Sequence, residues 1–164
     1  MALVAIRSGT TGRARSLLEE SLAISRSAGN RVFEADSMHA LGVISRLNGE
    51  GSAGLSLLRH ALVTRQEAGD RHGAANTLEE IAFTLTGDST CDGETFSAAV
   101  TFAGAADALR GSTGVVKPLA ERPELEVWIH RAHAVLGEGR CRTAWVRGRS
   151  MSLTQAITMV PDVG

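Results

Sequence analysis

Glu126, His130 and His133 stand close together late in the chain. Imidazoles and a carboxylate are transition-metal ligands, and Glu126 lies one helical turn before His130. Helix-borne zinc sites, however, pair histidines at i and i+4 and take a third ligand from elsewhere. His130 and His133 are spaced i, i+3, so a solvated pair is the preferred reading and no metal is expected. A second group is the stretch GRCRTAWVRGR, in which Arg140, Arg142, Arg147 and Arg149 surround Trp145. Guanidinium groups bind phosphates, which makes nucleic-acid contact the alternative role for this cluster. The formal net charge of −1 argues against that role. Gly137-Glu138-Gly139 is too short for a phosphate loop, and GxxxxGK[ST] does not occur. No nucleophile-elbow context surrounds any serine. Cys91 and Cys141 are fifty residues apart and read as two reduced thiols. No catalytic residue and no cofactor are expected, so the chain does not read as an enzyme.

Whatever positions these groups must be a folded domain. The 164 residues are 43% hydrophobic, enough for a core. No apolar run approaches the ~18 residues of a membrane span, and no basic n-region precedes the first apolar stretch. A soluble, cytoplasmic protein is expected.

The strongest organising signal is an internal repeat. Shifted by 40 residues, SLLEESLAISRSAGNRVFEADSMHAL aligns without a gap on SLLRHALVTRQEAGDRHGAANTLEEI. Ser16, Leu17, Leu18, Leu22, Ala28, Gly29, Arg31 and Ala35 fall on identical residues at 56, 57, 58, 62, 68, 69, 71 and 75. In each copy a helix carries an apolar stripe, in the first copy Leu17, Leu18, Ser21, Leu22 and Ile24. It ends at Gly29 or Gly69 in a left-handed C-terminal conformation, and Asn30 or Asp70 caps the next helix. That next helix runs from Arg31 to about Leu47, and from Arg71 to about Thr86. Gly-rich turns at 48–51 and 86–94 lead onward. No strand is expected. Helix, short turn, helix, repeated, reads as an all-α solenoid of antiparallel pairs.

The stretch ALGVISRLNGEGSAGLSLLRHAL resembles a tetratricopeptide repeat. Leu41-Gly42 falls at the repeat's Leu-Gly pair, where a small residue lets the partner helix approach. Gly54, Leu58 and Ala61 fall at the small–large–small positions of the second helix. Phe102 and Ala106 match Leu57 and Ala61 in a second copy whose turn is five residues longer. The period of 40 exceeds the usual ~34 and approaches HEAT or armadillo lengths. After Gly114, Pro118 and Pro123 open a helix near Glu124 with Leu125, Trp128, Ile129, Ala132 and Leu136 on one face. A shorter helix holds Cys141, Ala144 and Trp145, and Ser152 caps a last helix with Leu153, Ala156 and Ile157. Leu136-Gly137, Ala144-Trp145, Gly148-Arg149, Met151, Ser152, Leu153, Ala156 and Ile157 make up the tail. This tail is similar to the C-terminal tetratricopeptide region of bacterial LuxR-type regulators with a STAND ATPase, and of relatives with a class III nucleotide cyclase. Cys141 and the loop at 86–94 depart from that pattern.

The resemblance implies a fold, a division and a site. Residues 1–114 would be tetratricopeptide-like repeats and 115–164 capping helices. The first helix of each pair would line a concave groove, presenting Asp36, His39, Val43 and Arg46 from one unit and Asn76, Glu79, Phe83 and Thr86 from the next. The function implied is a non-catalytic sensor or protein-interaction module that binds a partner, or another domain of its own regulator. Aligned to the repeat, Met1 falls on Leu41, halfway along a first helix, which leaves Leu3, Val4 and Ile6 uncovered. Either the start lies upstream, another molecule (a second copy included) covers this end, or the chain is a truncated gene fragment.

Overall fold

The computed structural model describes residues 10–87, 91–114 and 122–162. Seven helices account for them, with no strand among the described residues: α1 Thr10–Ser27, α2 Arg31–Leu47, α3 Gly51–Ala68, α4 Arg71–Leu85, α5 Gly93–Thr113, α6 Arg122–Arg149 and α7 Leu153–Met159. No described helix is long and apolar enough to cross a membrane.

The punctuation marks are where the sequence puts them. Gly29 and Gly69 take positive φ (66° and 70°), the left-handed conformation that ends α1 and α3. The Asn30 and Asp70 side chains accept hydrogen bonds from the Phe33 and Gly73 amides, satisfying orphan donors of the next helix. Ser152 starts α7 with a reciprocal capping box to Gln155.

Turns of two or three residues join α1 to α4, and from α1 to α6 each helix packs on the next in the chain. The first hairpin closes on two glycines. A Cβ on Gly42 would lie 2.7 Å from Leu58 Cγ, and one on Gly54 would lie 3.1 Å from the Gly42 carbonyl oxygen. Backbones this close leave no room for a side chain at the crossing.

The third hairpin hides inside α6. Gly137 has φ 75° and ψ 160°, a conformation open essentially to glycine alone, and it turns the chain back on itself. Along residues 122–136 the chain runs against α5: Arg131 stacks over the Phe96 ring and Leu136 reaches Gly93. Along 138–149 it runs with α5: Arg140 pairs with Glu94, Gly148 touches Thr101 and Ala105, and Arg149 pairs with Asp107. Gly137 stands to this hairpin as Gly49 (φ 81°) stands to the first. α7 then lies across α3 and α5, with Gln66 donating to Thr154 Oγ1 at 2.6 Å.

A single hydrophobic cluster runs from Leu55 to Val160, so the repeats and the C-terminal helices share a core across the 114/115 division. The apolar stripe expected on α1 needs correcting. Leu17 and Ile24 are 57% and 59% exposed, and the face turned inward is Leu18, Ser21, Leu22 and Ser25. The Ser21 and Ser37 hydroxyls meet at 3.0 Å across the α1–α2 contact. Periodicity finds an apolar stripe; it does not say which edge a neighbour covers.

Candidate functional site

The row of first-helix residues is built by register. α2 and α4 run the same way, and His39 Nδ1 lies 3.2 Å from Thr77 Oγ1. The Thr77 hydroxyl already donates to the Gly73 carbonyl at 2.9 Å, so its lone pairs are left to accept and the imidazole donates from Nδ1. Burial, and then the nearby Arg65 guanidinium, push the His39 pKa down to about 4 against a smaller opposing pull from Asp36. His39 is therefore a neutral hydrogen-bonding group at neutral pH.

Asp36 is exposed but held: Arg65 Nη2 donates to its Oδ1 at 2.7 Å. Arg65 is itself buried and also pairs with Asp70, so one guanidinium ties the second helix of the hairpin to both its own first helix and the cap of the next. The following hairpin repeats the device. Arg110 Nη2 donates to Asn76 Oδ1 at 3.0 Å and the same guanidinium pairs with Glu79. Asp36 to Asn76 is a step of 40, and Arg65 to Arg110 a step of 45, the difference being the five extra loop residues.

Arg46 joins three first helices. It pairs with Glu80 of α4, reaches Glu124 Oε1 of α6 at 3.3 Å, and lies 5.8 Å over the Phe83 ring. Val43 is half-buried beside it.

The far half of the expected groove is covered. Glu79, Phe83 and Thr86 are 5%, 8% and 1% exposed. Glu79 is taken up by Arg110, while the first arm of α6 lies over the other two. Trp128 Nε1 donates to Thr86 Oγ1 at 2.7 Å, and the Trp128 and Phe83 rings meet edge to face at 5.8 Å. Glu79 and Thr86 read as a wet face; they are buried because Arg110 and Trp128, from later helices, supply their partners. The residues of the row that are not buried are Asp36, which is exposed, and His39, Val43, Arg46 and Asn76, which are half-buried.

The other candidates resolve as follows. Glu126, His130 and His133 are all exposed, and no group of three His, Cys, Asp or Glu residues able to hold a metal occurs among the described residues. Three of the four arginines in the C-terminal cluster face carboxylates: Arg140 to Glu94 at 2.9 Å, Arg142 to Glu138 at 2.6 Å, and Arg149 to Asp107. Their charge is largely answered within the chain. Leu3, Val4 and Ile6 lie outside the described residues.

Sequence reasoning missed a pocket. Between the two arms of α6, over Val100 of α5, lies a cavity of about 320 Å³ walled by Trp128, Ile129, Ala132, Cys141 and Trp145. His133, Glu138 and Arg142 form the rest of its lining. Burial pushes the Cys141 thiol above its usual pKa, which favours the neutral thiol over the thiolate. The available signal was the pair of tryptophans either side of a Leu-Gly-Glu-Gly turn.

No protein-family model matches this chain, and no curated protein or solved structure matches it. Function must therefore be argued from the arrangement itself. That arrangement offers hydrogen bonds, fixed charges and apolar surface.

Proposed function

We propose that this chain is a tetratricopeptide-like helical-repeat module that binds a protein partner along the open row of its first helices, at Asp36, His39, Val43, Arg46 and Asn76. The observation that carries this reading is the repeated clamp. Arg65 on Asp36 and Arg110 on Asn76 hold first-helix positions 40 residues apart in two successive hairpins. A partner lying across the row meets the same geometry twice. Stacked hairpins in which each unit contacts only its neighbours present extended surfaces of this kind. The row carries a neutral imidazole, an aliphatic side chain and charged groups already held in place, so little side-chain entropy is lost on binding. The C-terminal tail, similar to that of LuxR-type and cyclase-linked regulators, supports a place in bacterial signal transduction, with the partner either a separate protein or another domain of the same regulator.

The test is a stoichiometric complex. The chain, tagged and expressed in its source cells, is expected to co-purify with one partner in fixed ratio. Val43→Glu, which replaces the aliphatic side chain in the middle of the row by a carboxylate, should abolish recovery while leaving the melting temperature within a few degrees. Undiminished recovery from Val43→Glu would overturn the assignment of the row.

A further inference from the structure

We propose that the cavity between the two arms of α6 is a binding site for a small, uncharged aromatic molecule. This stands independently of whether the first-helix row binds a protein.

The cavity's size is at the lower end of the range for ligand pockets, about 300–1,000 Å³, which suits a mono- or bicyclic ring system. Three separate stretches of chain line it: the first arm, the second arm, and α5 beneath them. Its walls are set in advance. Trp128 is only 5% exposed, and its indole N–H is already bonded to Thr86, which fixes the ring plane as a wall. Trp145 sits on the opposite arm, where the main chain is held against Gly104 of α5 so closely that a Cβ on that glycine would lie 3.1 Å from the Trp145 carbonyl carbon. Two indoles on the two arms, with Ile129 and Ala132 completing the apolar lining, favour a flat apolar guest, because ring–ring contacts add to the area buried.

The rim decides the charge. Glu138 and Arg142 pair with each other at 2.6 Å, so the mouth carries no net charge toward either an anion or a cation. The pair is well exposed, and a charged ligand would have to displace one member while facing the other. His133 is left as the polar group able to orient a ligand by one hydrogen bond.

The chain supplies its own reporter. It has no tyrosine and two tryptophans, Trp128 and Trp145, both lining the cavity. Titrating the intact chain with N-phenyl-1-naphthylamine, an uncharged aromatic fluorophore, while exciting tryptophan should give saturable quenching with sensitised probe emission at one probe per chain. Ile129→Phe, which places a ring in the cavity, should weaken binding by about tenfold or more. Should that variant not fold, His133→Phe narrows the mouth from an exposed position and carries the same expectation. The anionic analogue 8-anilinonaphthalene-1-sulfonate should bind at least about tenfold more weakly than the neutral probe. No saturable energy transfer, or equal affinity in wild type and both variants, would overturn the site. Tighter binding of the anion would overturn its assignment to uncharged ligands.

Discussion

Replacing Gly148 by alanine probes the packing that holds the second arm of α6 in place. An added Cβ would lie 2.9 Å from the Ala105 amide nitrogen and deep inside contact with the Thr101 carbonyl oxygen. Both are backbone atoms within α5, so no rotamer change relieves the clash. The arm must retreat by about 1 Å, and a gap of that size forfeits roughly a quarter to a half of each dispersion contact it opens. Overpacking of this kind costs about 1–3 kcal/mol. Alanine returns up to ~1 kcal/mol of helix propensity. The net expectation is a destabilisation of about 1–2 kcal/mol, or roughly 2–4 °C of melting temperature for each kcal/mol. Gly111→Ala is the control. It lies in the same helix that Gly148 packs against, and nothing stands within 4 Å of its added Cβ. It should stabilise by a few tenths to about 1 kcal/mol. Urea denaturation of the three proteins measures the difference. Because Trp145 rides on the displaced arm, Gly148→Ala should also shift tryptophan emission while Gly111→Ala leaves it unchanged. Equal stability of the two variants would refute the close crossing of α5 and α6.

Three other outcomes follow from the same contacts. His39 has a folded pKa of about 4 against about 6.5 in the unfolded chain, so the unfolded state takes up its proton first. Its contribution is fully present above pH ~6.5 and is lost as pH falls toward ~4, by at most about 3 kcal/mol; His39→Gln should flatten that part of the stability profile. Arg110→Met should cost about 3 kcal/mol or more in denaturant unfolding, because it leaves the Glu79 carboxylate, only 7% exposed in its side chain, without its guanidinium; Glu79→Gln in the same chain should recover part of that loss. Cys141, with its thiol pKa raised by burial, should react only slowly with an aromatic disulfide reagent that enters the cavity it lines, and a bound aromatic probe should slow it further.

The helices were legible because their ends carry chemistry with one structural meaning. Gly29 and Gly69 stop a helix, Asn30, Asp70 and Ser152 start one, and those residues sit at the observed boundaries. Gly42 was legible too, as a small residue where two helices close. What the sequence could not show is which surfaces a distant neighbour covers. Thr86 and Glu79 look wet by type, yet each is buried because Trp128, 42 positions along the chain, and Arg110, 31 positions along, supply partners. Leu17 and Ile24 look buried by type and are exposed, because no described helix packs on their side of α1. The cavity escaped notice for a related reason. Its two indoles come together only once Gly137 folds residues 122–136 back over 138–149, and no periodicity encodes that reversal.

The central claim is that the first-helix row is a protein-binding surface. A photo-crosslinking amino acid placed at Val43 on the row, and in a separate variant at Val146, exposed on the second arm of α6, compares the two surfaces in source cells. The account predicts a discrete crosslinked species of one added mass from position 43 and none from position 146. The same species from both positions, or none from position 43, would contradict it.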